Sequence, residues 1–378
     1  MTDGLAAALE GRRVVICCGS GGVGKTTTAA AIALAAALRR EERVLVLTID
    51  PAKRLADALG VERLGNNATR VGAVDGPGEL WVAMLDTAAS WDDLVRRHAP
   101  DVATQTKILA NPLYHSITQR FVQSHDYIAM ERLFELHETG DYDLIVIDTP
   151  PSRHALDFLD APERMADFFS SRLLRWITMP YRLGGARAGR LGYLATKPFY
   201  QVADRILGSK FLEDIAEFFL LFQTMYDGFV RRARAVTTLL READTTFVVV
   251  STLEPAPLHE AEFFMAELSR RRLRLGALVL NRVLAPVFGD PVARAAALRL
   301  AIESDGSTEG APVEQLVAVA LARNFLRFSA LAEHEASQLR RLASKPEVVV
   351  KVPQLDGDIT SVDGLARVAD RLWPAGSH

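Results

Sequence analysis

A glycine-rich loop near the start of the chain has the clearest chemical signature. Residues 19–26 read GSGGVGKT and match the pattern G-x-x-x-x-G-K followed by Ser or Thr. Backbone amides of such a loop surround a phosphate group, the lysine reaches the β and γ phosphates, and the hydroxyl binds Mg²⁺. The loop therefore predicts a nucleotide site in which Lys25 contributes to catalysis and Thr26 binds the metal. The predicted nucleotide-binding residues of the loop are Gly19, Ser20, Gly21, Gly22, Val23, Gly24, Lys25, Thr26 and Thr27.

Two aspartates, Asp50 and Asp148, each end an apolar segment and can complete this chemistry. Asp148 follows DLIVI, the position at which proteins with such a loop hold Mg²⁺ directly or through water. Asp50 follows RVLVLTI, and a carboxylate there can orient or activate the attacking water. Each aspartate also fits a helix N-cap, because proline follows within two residues, so both interpretations stay open.

The segments that position these residues are short, continuously apolar runs of valine, isoleucine and leucine. Strands of this kind are buried on both faces, and helix-like segments separate most of them. The pattern predicts an α/β fold with a doubly wound, mostly parallel sheet, in which ligands bind beyond the carboxyl ends of the strands. The predicted strands span 14–18, 43–50, 80–86, 143–148, 247–252, 277–281 and 347–352.

One region, 164–241, lacks strand signals and differs in composition. It contains thirteen Lys and Arg against six Asp and Glu, and 13 of the 28 aromatic residues of the chain. Four glycines between 180 and 198 disfavour a continuous helix there. We therefore expect a nucleotide-binding core formed by 1–160 and 244–378, with a helical insertion over 161–243.

Aromatic residues in the insertion recur at helical spacing. The spacing is close to i, i+3, i+4, i+7, which places the rings on one side of a helix. The rings either pack as the core of the insertion or form a groove for an apolar helix of a partner protein, here called the client. The candidate client-binding residues are Phe211, Phe218, Phe219, Phe222 and Tyr226.

Four segments resemble the arsenite-pump ATPases and the ATPases that target tail-anchored proteins, which are related to the partitioning ATPases and the nitrogenase iron protein. The segments are GSGGVGKTT, TIDPAKRLAD, IDTPPSRHALDFLDAP and VLNRV, and the resemblance extends through VPQLDGDITSVDGLARVAD. The long insertion is more specific than the loop, because the partitioning ATPases lack it. The resemblance implies a P-loop ATPase fold, ATP and Mg²⁺ as ligands, and a dimer.

The same resemblance gives roles to further residues. Asp50 would lie in switch I and Asp148 at the start of switch II, and Asn281 would contact adenine. Two more residues, Val352 and Pro353, would pack near the adenine ring. The residues implied for switch II are Pro150, Pro151, Arg153 and His154. From the residues alone, Asn281 is equally an ordinary turn residue, and His154 an exposed residue at a helix start.

The chain departs from this family in the P-loop. Ser20 replaces a lysine that in the relatives crosses the dimer interface and contacts the partner's phosphates. Lys53, Arg54 and Arg153 stand where the relatives carry His, a small polar residue and Gly, and they either offset the missing charge or are solvated side chains. We therefore expect the isolated chain to be a slow ATPase unless these cations act within the same subunit.

Composition limits the remaining function classes. The chain has 378 residues, a formal net charge of −3 and 49% apolar residues, which excludes a disordered chain. Its two cysteines, Cys17 and Cys18, lie in the first predicted strand as core residues, so we expect neither a zinc site nor an arsenite site. We expect no membrane span, no secretory signal and no nucleic-acid binding, and hence a cytoplasmic protein.

Together these inferences predict a dimeric, Mg²⁺-dependent ATPase that acts as a nucleotide-gated switch. Its helical insertion would bind a hydrophobic client such as an apolar helix. The alternative is a weakly hydrolysing regulatory subunit, paired in a heterodimer with a related chain that retains the lysine. A second alternative is an ATPase that positions itself on a membrane surface or on a membrane-associated partner.

Overall fold

The computed structural model describes residues 4–49, 54–61, 64–72, 74–114, 122–150, 167, 209–303, 312–342 and 346–374. Several predicted site residues lie outside this part of the chain, namely Asp50, Lys53, Pro151, Arg153 and His154. The predicted break in the helix between 180 and 198 also lies outside it. The division into a core and an insertion therefore stays a prediction.

An eight-stranded sheet forms the centre of the molecule, and all seven predicted strands are present. The strand order is β3-β4-β2-β5-β1-β6-β7-β8, and only the β3–β4 pair is antiparallel. This topology confirms the doubly wound, mostly parallel α/β fold. The strands are β1 (Val14–Cys18), β2 (Arg43–Thr48), β3 (Thr69–Arg70), β4 (Glu79–Met84), β5 (Leu144–Asp148), β6 (Thr245–Ser251), β7 (Leu275–Val283) and β8 (Val349–Pro353). The two exposed residues of β3 carry no apolar run, so the sequence did not predict this strand.

Helices cover both faces of the sheet, as buried parallel strands require. Side chains of β1 alternate between two apolar clusters, with Val14 and Ile16 on one face and Val15 and Cys17 on the other. The helices are α1 (Gly4–Ala8), α2 (Lys25–Arg39), α3 (Arg54–Leu59), α4 (Thr87–His98), α5 (Val102–Ala110), α6 (Val122–Thr139), α7 (Ser209–Gln223), α8 (Tyr226–Leu239), α9 (Pro255–Arg270), α10 (Pro291–Glu303), α11 (Val313–Arg341) and α12 (Val362–Leu372). Helices α2, α3 and α12 share one face, and α4 to α9 contribute to the cluster on the other.

The candidate client-binding residues, here called the aromatic stripe, lie on α7 and α8. The side chains of Phe218 and Phe222 belong to the apolar cluster to which α4 to α9 contribute. Phe218 and Phe222 are only 2% and 3% exposed. The Phe222 ring centroid lies 6.2 Å from that of Trp91 in α4 and 5.2 Å from that of Phe229 in α8. The rings of Phe222 and Phe229 are stacked. In this conformation, Phe218 and Phe222 are therefore core residues, which is the interpretation that competes with a client groove.

The other stripe residues are less enclosed or less defined. Phe219 is half-buried and packs at the edge of the same cluster. The side chains of Phe211 and Tyr226 lie outside the described part of the structure. A client-binding role for these three residues stays a prediction.

A buried ion pair connects the helices of this layer. Arg232 of α8 pairs with Glu131 of α6, whose side chain is almost fully buried. Burial raises the pKa of Glu131, and the nearby Arg232 guanidinium opposes that rise. Loss of either partner would leave a buried charge, so the pair restricts how α8 can move relative to α6.

Helices α10 and α11 follow β7 and pack against each other. Arg294 of α10 forms an ion pair with Glu333 of α11, and Phe288 lies against Phe325 and Phe328. Both helices also present apolar side chains to solvent. The most exposed of these are Val292, Ile302, Val313, Val317, Leu321 and Leu331. Among the helices of the described ranges, none is long and apolar enough to span a membrane.

Candidate nucleotide-binding site

The glycine-rich loop between β1 and α2 has a conformation that side chains would disrupt. Gly19, Gly22 and Gly24 have φ angles of 151°, 79° and 92°. A Cβ on Gly19 would lie 2.1 Å from the carbonyl oxygen of Val250, in the neighbouring strand β6. A Cβ on Gly24 would lie 2.2 Å from Nδ2 of Asn281. The loop is thus held close to β6 and β7, and glycine is required at both contacts.

The first turn of α2 offers backbone amides to an anion. Gly24 is the N-cap and has no side chain that could bond to the N–H groups of this turn. Helix N-termini carry unsatisfied N–H groups and a partial positive charge, which favour phosphate. The alanine-rich body of α2 is buried between the sheet and α12, so this end of the helix is fixed in place.

Lys25 begins α2 and folds back over the loop. Its side chain is only 6% exposed, and Nζ donates a hydrogen bond to the carbonyl oxygen of Ser20 at 2.8 Å. The Ser20 hydroxyl is buried and makes no hydrogen bond to the described residues. The loop therefore contains one buried cation, from Lys25, and a neutral side chain at position 20.

Asp148, at the end of β5, meets hydroxyl groups from two elements. Its Oδ2 accepts hydrogen bonds from Thr26 Oγ1 at 2.7 Å and from Thr48 Oγ1 at 3.1 Å. Thr26 lies in the first turn of α2, and Thr48 is the register partner of Asp148 in β2. Hydroxyl and carboxylate oxygens are the hard ligands that Mg²⁺ takes in proteins, so the donor set fits this ion.

Thr48 is a site residue that sequence reasoning missed. The signal was present, since Thr48 is a polar residue inside the otherwise apolar run RVLVLTI. Sheet order decides its role, because β2 lies directly beside β5 and brings Thr48 next to Asp148.

The two cysteines are buried and free, as their position in β1 predicted. Burial raises the pKa of Cys18 to about 12 and that of Cys17 well above the ordinary thiol value. Both thiols are therefore protonated at neutral pH and are neither nucleophiles nor metal ligands in this conformation. The carbonyl of Cys17 instead accepts a hydrogen bond from Thr149 Oγ1 at 2.8 Å, which ties the end of β5 to β1.

One cavity of about 990 Å³ brings predicted residues from distant parts of the sequence together. Gly22, Gly24, Lys25, Thr26 and Thr27 line it from the P-loop and α2. Asn281, Val352 and Pro353 line it from the ends of β7 and β8. The lining does not include Gly19, Ser20, Gly21, Val23 or Asp148.

The segment after β8 contributes lining residues that the sequence did not reveal. Leu355 and Ile359, from the loop between β8 and α12, add apolar surface to the side of the cavity formed by Val352. Leu55 and Asp57 of α3 also line the cavity. The lining thus combines polar groups of the P-loop with apolar side chains, the combination that a nucleotide requires.

Asn281 has a contact that sequence reasoning did not anticipate. Its Nδ2 donates a hydrogen bond to the carbonyl oxygen of Val23 in the P-loop at 2.8 Å. The structure thus places Asn281 at the loop as well as in the cavity, while its contact with adenine stays a prediction.

The close contact with Val250 predicts that an alanine at Gly19 weakens ATP binding more than an alanine at Gly22. We expect Gly19→Ala to weaken ATP binding at least about tenfold, because the β6 carbonyl cannot move away and the loop must shift. Gly22 has an equally unfavourable φ but nothing within 4 Å of its Cβ position, so Gly22→Ala should cost about fivefold or less. Titration calorimetry of both variants tests this, and equal losses would contradict the steric explanation.

Among the residues that the structure describes, no group of three or more His, Cys, Asp or Glu side chains is arranged to hold a metal ion. The hydroxyl and carboxylate oxygens of Thr26 and Asp148 are the ligands that we propose for Mg²⁺. The expected absence of zinc and arsenite sites stays a prediction for the chain as a whole.

Known proteins with similar sequences identify the family of this chain. A family model described as "Anion-transporting ATPase" matches residues 12–299, from just before β1 to the middle of α10. The "ATPase ASNA1 homolog" of Plasmodium chabaudi chabaudi is 24% identical over 339 residues, which cover 88% of this chain and 79% of the relative. The "ATPase GET3" of Malassezia globosa is 26% identical over 251 residues, covering 66% of each chain. The "ATPase get3" of Aspergillus terreus is 28% identical over 251 residues, covering 65% of this chain and 66% of the relative.

The family match covers the P-loop, Asp148 and Asn281, the residues whose geometry is described above. It confirms the resemblance inferred from the sequence motifs, and it supports ATP hydrolysis as the general activity. The chain belongs to the anion-transporting ATPase family.

Proposed function

We propose that the chain is a Mg²⁺-dependent ATPase that acts as a nucleotide-gated switch. One observation carries this proposal: Lys25, Thr26 and Asn281 line one cavity of about 990 Å³, and Asp148 accepts a hydrogen bond from Thr26. Catalysis of phosphoryl transfer depends mainly on positioning and on charge, and these side chains supply both.

In this proposal each residue has a defined task. The amides of the P-loop and the ammonium group of Lys25 bind the β and γ phosphates. The Thr26 hydroxyl and the Asp148 carboxylate would hold Mg²⁺ directly or through water, and bound Mg²⁺ would supply positive charge near the phosphate oxygens. Thr48 orients the Asp148 carboxylate through its hydrogen bond. Asp50, two residues after Thr48, would orient or activate the attacking water.

The same contacts suggest how nucleotide changes the conformation. Thr26 donates a hydrogen bond to Asp148 at 2.7 Å, so a cation that took the Thr26 hydroxyl as a ligand would also act on the Asp148 carboxylate through this bond. Asp148 is at the start of the predicted switch II, so a change at its carboxylate would reach the rest of that segment first. The switch would thus respond to metal and nucleotide together.

We further propose that the chain acts as a dimer in the cytoplasm and binds a hydrophobic client through its helical insertion. The aromatic content of 164–241 supports this role. Phe218 and Phe222 are buried against Trp91 and Tyr127, however, so binding through these rings requires α7 to move away from α4 and α6. Nucleotide-driven opening would provide that movement.

Substitution of the P-loop lysine tests the proposed site. Lys25→Ala removes a charge that faces the phosphates, so ATP affinity should fall by between about ten- and 100-fold. Titration calorimetry of the full chain with ATP and Mg²⁺ measures this. Arg39→Ala, at the far end of the same helix, serves as the control and should retain wild-type affinity. Equal ATP affinity in the wild type and in Lys25→Ala would exclude this cavity as the nucleotide site.

The alternative, a weakly hydrolysing subunit of a heterodimer, rests on position 20. Its hydroxyl is buried and neutral in a loop where the resemblance places a lysine. Such a chain would bind ATP with the affinity of an ATPase but turn it over slowly. Steady-state turnover of the isolated chain separates the two functions.

A further inference from the structure

The strand that presents Asn281 is irregular at that residue. The register of β7 with β8 shifts between Leu280 and Val283, which marks a β-bulge. Arg282, the residue after Asn281, has a φ of 57°, in the left-handed region that non-glycine residues rarely adopt. Bulges next to binding sites commonly redirect a side chain, and strained backbone persists only where its surroundings enforce it.

The redirected side chain reaches the P-loop. Asn281 Nδ2 donates to the carbonyl oxygen of Val23 at 2.8 Å, and the same atom occupies the space beside Gly24 where a Cβ would stand. The carbonyl can only accept, so the amide nitrogen must face it. Asn281 therefore holds the loop at the last turn before Lys25, where φ of Gly24 is 92°.

Asn281 also lines the cavity, and its amide has one further N–H and an oxygen that can bond elsewhere. One side chain thus bonds to the P-loop beside Gly24 and also lines the cavity that Val352 borders. A residue that merely contacted the base would not need a bond to Val23.

We propose that Asn281 is a positioning residue for the P-loop, whose bond to the Val23 carbonyl preorganises the loop for the triphosphate whether or not a base is present. This inference rests on the proposed nucleotide site and adds a link between Asn281 and the conformation of the P-loop. As a consequence, the affinity for a ligand without a base, inorganic tripolyphosphate, should also depend on Asn281.

The experiment compares two ligands on the full chain in the presence of Mg²⁺. Titration calorimetry gives the affinity of ATP and of inorganic tripolyphosphate for the wild type, Asn281→Ala and Asn324→Ala. Asn324 is exposed on α11 and does not line the cavity. Loss of one hydrogen bond to the loop should weaken tripolyphosphate binding about tenfold in Asn281→Ala, and Asn324→Ala should leave it unchanged.

A second variant keeps the inference testable if Asn281→Ala is poorly folded. Asn281→Asp retains the shape of the side chain but places a carboxylate oxygen against the Val23 carbonyl, so tripolyphosphate affinity should fall further. Thermal unfolding without ligand checks that both variants melt within a few degrees of the wild type. A global folding defect would lower the melting temperature instead of acting on the ligand alone.

The outcomes separate this inference from the proposed function. Unchanged tripolyphosphate affinity in both Asn281 variants, with weaker ATP binding, would show that Asn281 contacts only the base and would overturn the inference while the ATPase proposal stands. Binding of neither ligand by the wild type would overturn both. A parallel loss for ATP and tripolyphosphate, with wild-type melting, is the result that we expect.

Discussion

Replacement of Phe222 by aspartate should destabilise the helical layer of the protein severely. Phe222 is 3% exposed and contacts the rings of Trp91, Phe218 and Phe229. The substitution removes a buried ring and puts an unpaired carboxylate in its place. Each change alone costs about 3 kcal/mol or more, so α7 should detach from α4 and α8 or lose its helical structure. Circular dichroism and thermal unfolding measure the effect.

Phe263→Asp is the matched control for this prediction. Phe263 lies on α9 and is 57% exposed, so the same substitution there should change the melting temperature little. A folded, active Phe222→Asp variant that melts like Phe263→Asp would show that the ring is not part of the core. Such a result would favour the client groove, because only a ring that is free to leave the core tolerates a charge.

The expected result bears on how a client could bind. If Phe222 stabilises the resting conformation, a client groove opens only when the stacked rings of Phe222 and Phe229 separate. The buried pair of Arg232 and Glu131 opposes that opening from α8. Protection of α7 from hydrogen exchange should then depend on nucleotide, since nucleotide would have to supply the energy of opening.

The sheet could be predicted because its signal is local. The run VVICC and the run LIVI before Asp148 are apolar at every position, which only a strand buried on both faces explains. The P-loop residues were predictable for the same reason, because one short segment contains them all. Strand β3 and the position of Thr48 were not, since they depend on which strands become neighbours.

The aromatic stripe shows where such prediction ends. Helical spacing places Phe218 and Phe222 on one side of a helix, but it does not say what that side faces. The partners, Trp91 and Tyr127, lie about a hundred residues earlier in the chain. Asn281 is similar: its strand was predictable, but the bulge that turns its amide toward Val23 was not.

Restoration of the missing lysine should have the largest effect on turnover. Phosphoryl transfer places negative charge on the phosphate oxygens, and a cation contributed across an interface accelerates it by about 10³ to 10⁵. Ser20 supplies no net charge. If the chain forms a homodimer, Ser20→Lys should therefore raise its ATP turnover about 100-fold or more. Steady-state phosphate release at saturating ATP and Mg²⁺ measures the change.

The geometry of the loop determines which control the Ser20→Lys variant needs. Lys25 bonds to the backbone carbonyl of Ser20 and not to its side chain, so the substitution leaves that contact intact. The Ser20 hydroxyl is buried, and a lysine must extend away from that position to place its charge in water or at a partner. Ser20→Gln introduces a long neutral side chain and controls for this displacement. Sedimentation analysis confirms whether each variant is a dimer.

Arg153 and Lys53 provide the competing explanation, because either could place a cation at the phosphates within one subunit. In that case Ser20→Lys should give no gain, and Arg153→Gly should reduce turnover severely. A gain with Ser20→Lys but not with Ser20→Gln, together with wild-type turnover in Arg153→Gly, would show that the missing charge limits the reaction. The natural chain would then need a related subunit that retains the lysine, since a serine hydroxyl can donate a hydrogen bond but cannot neutralise the phosphate charge.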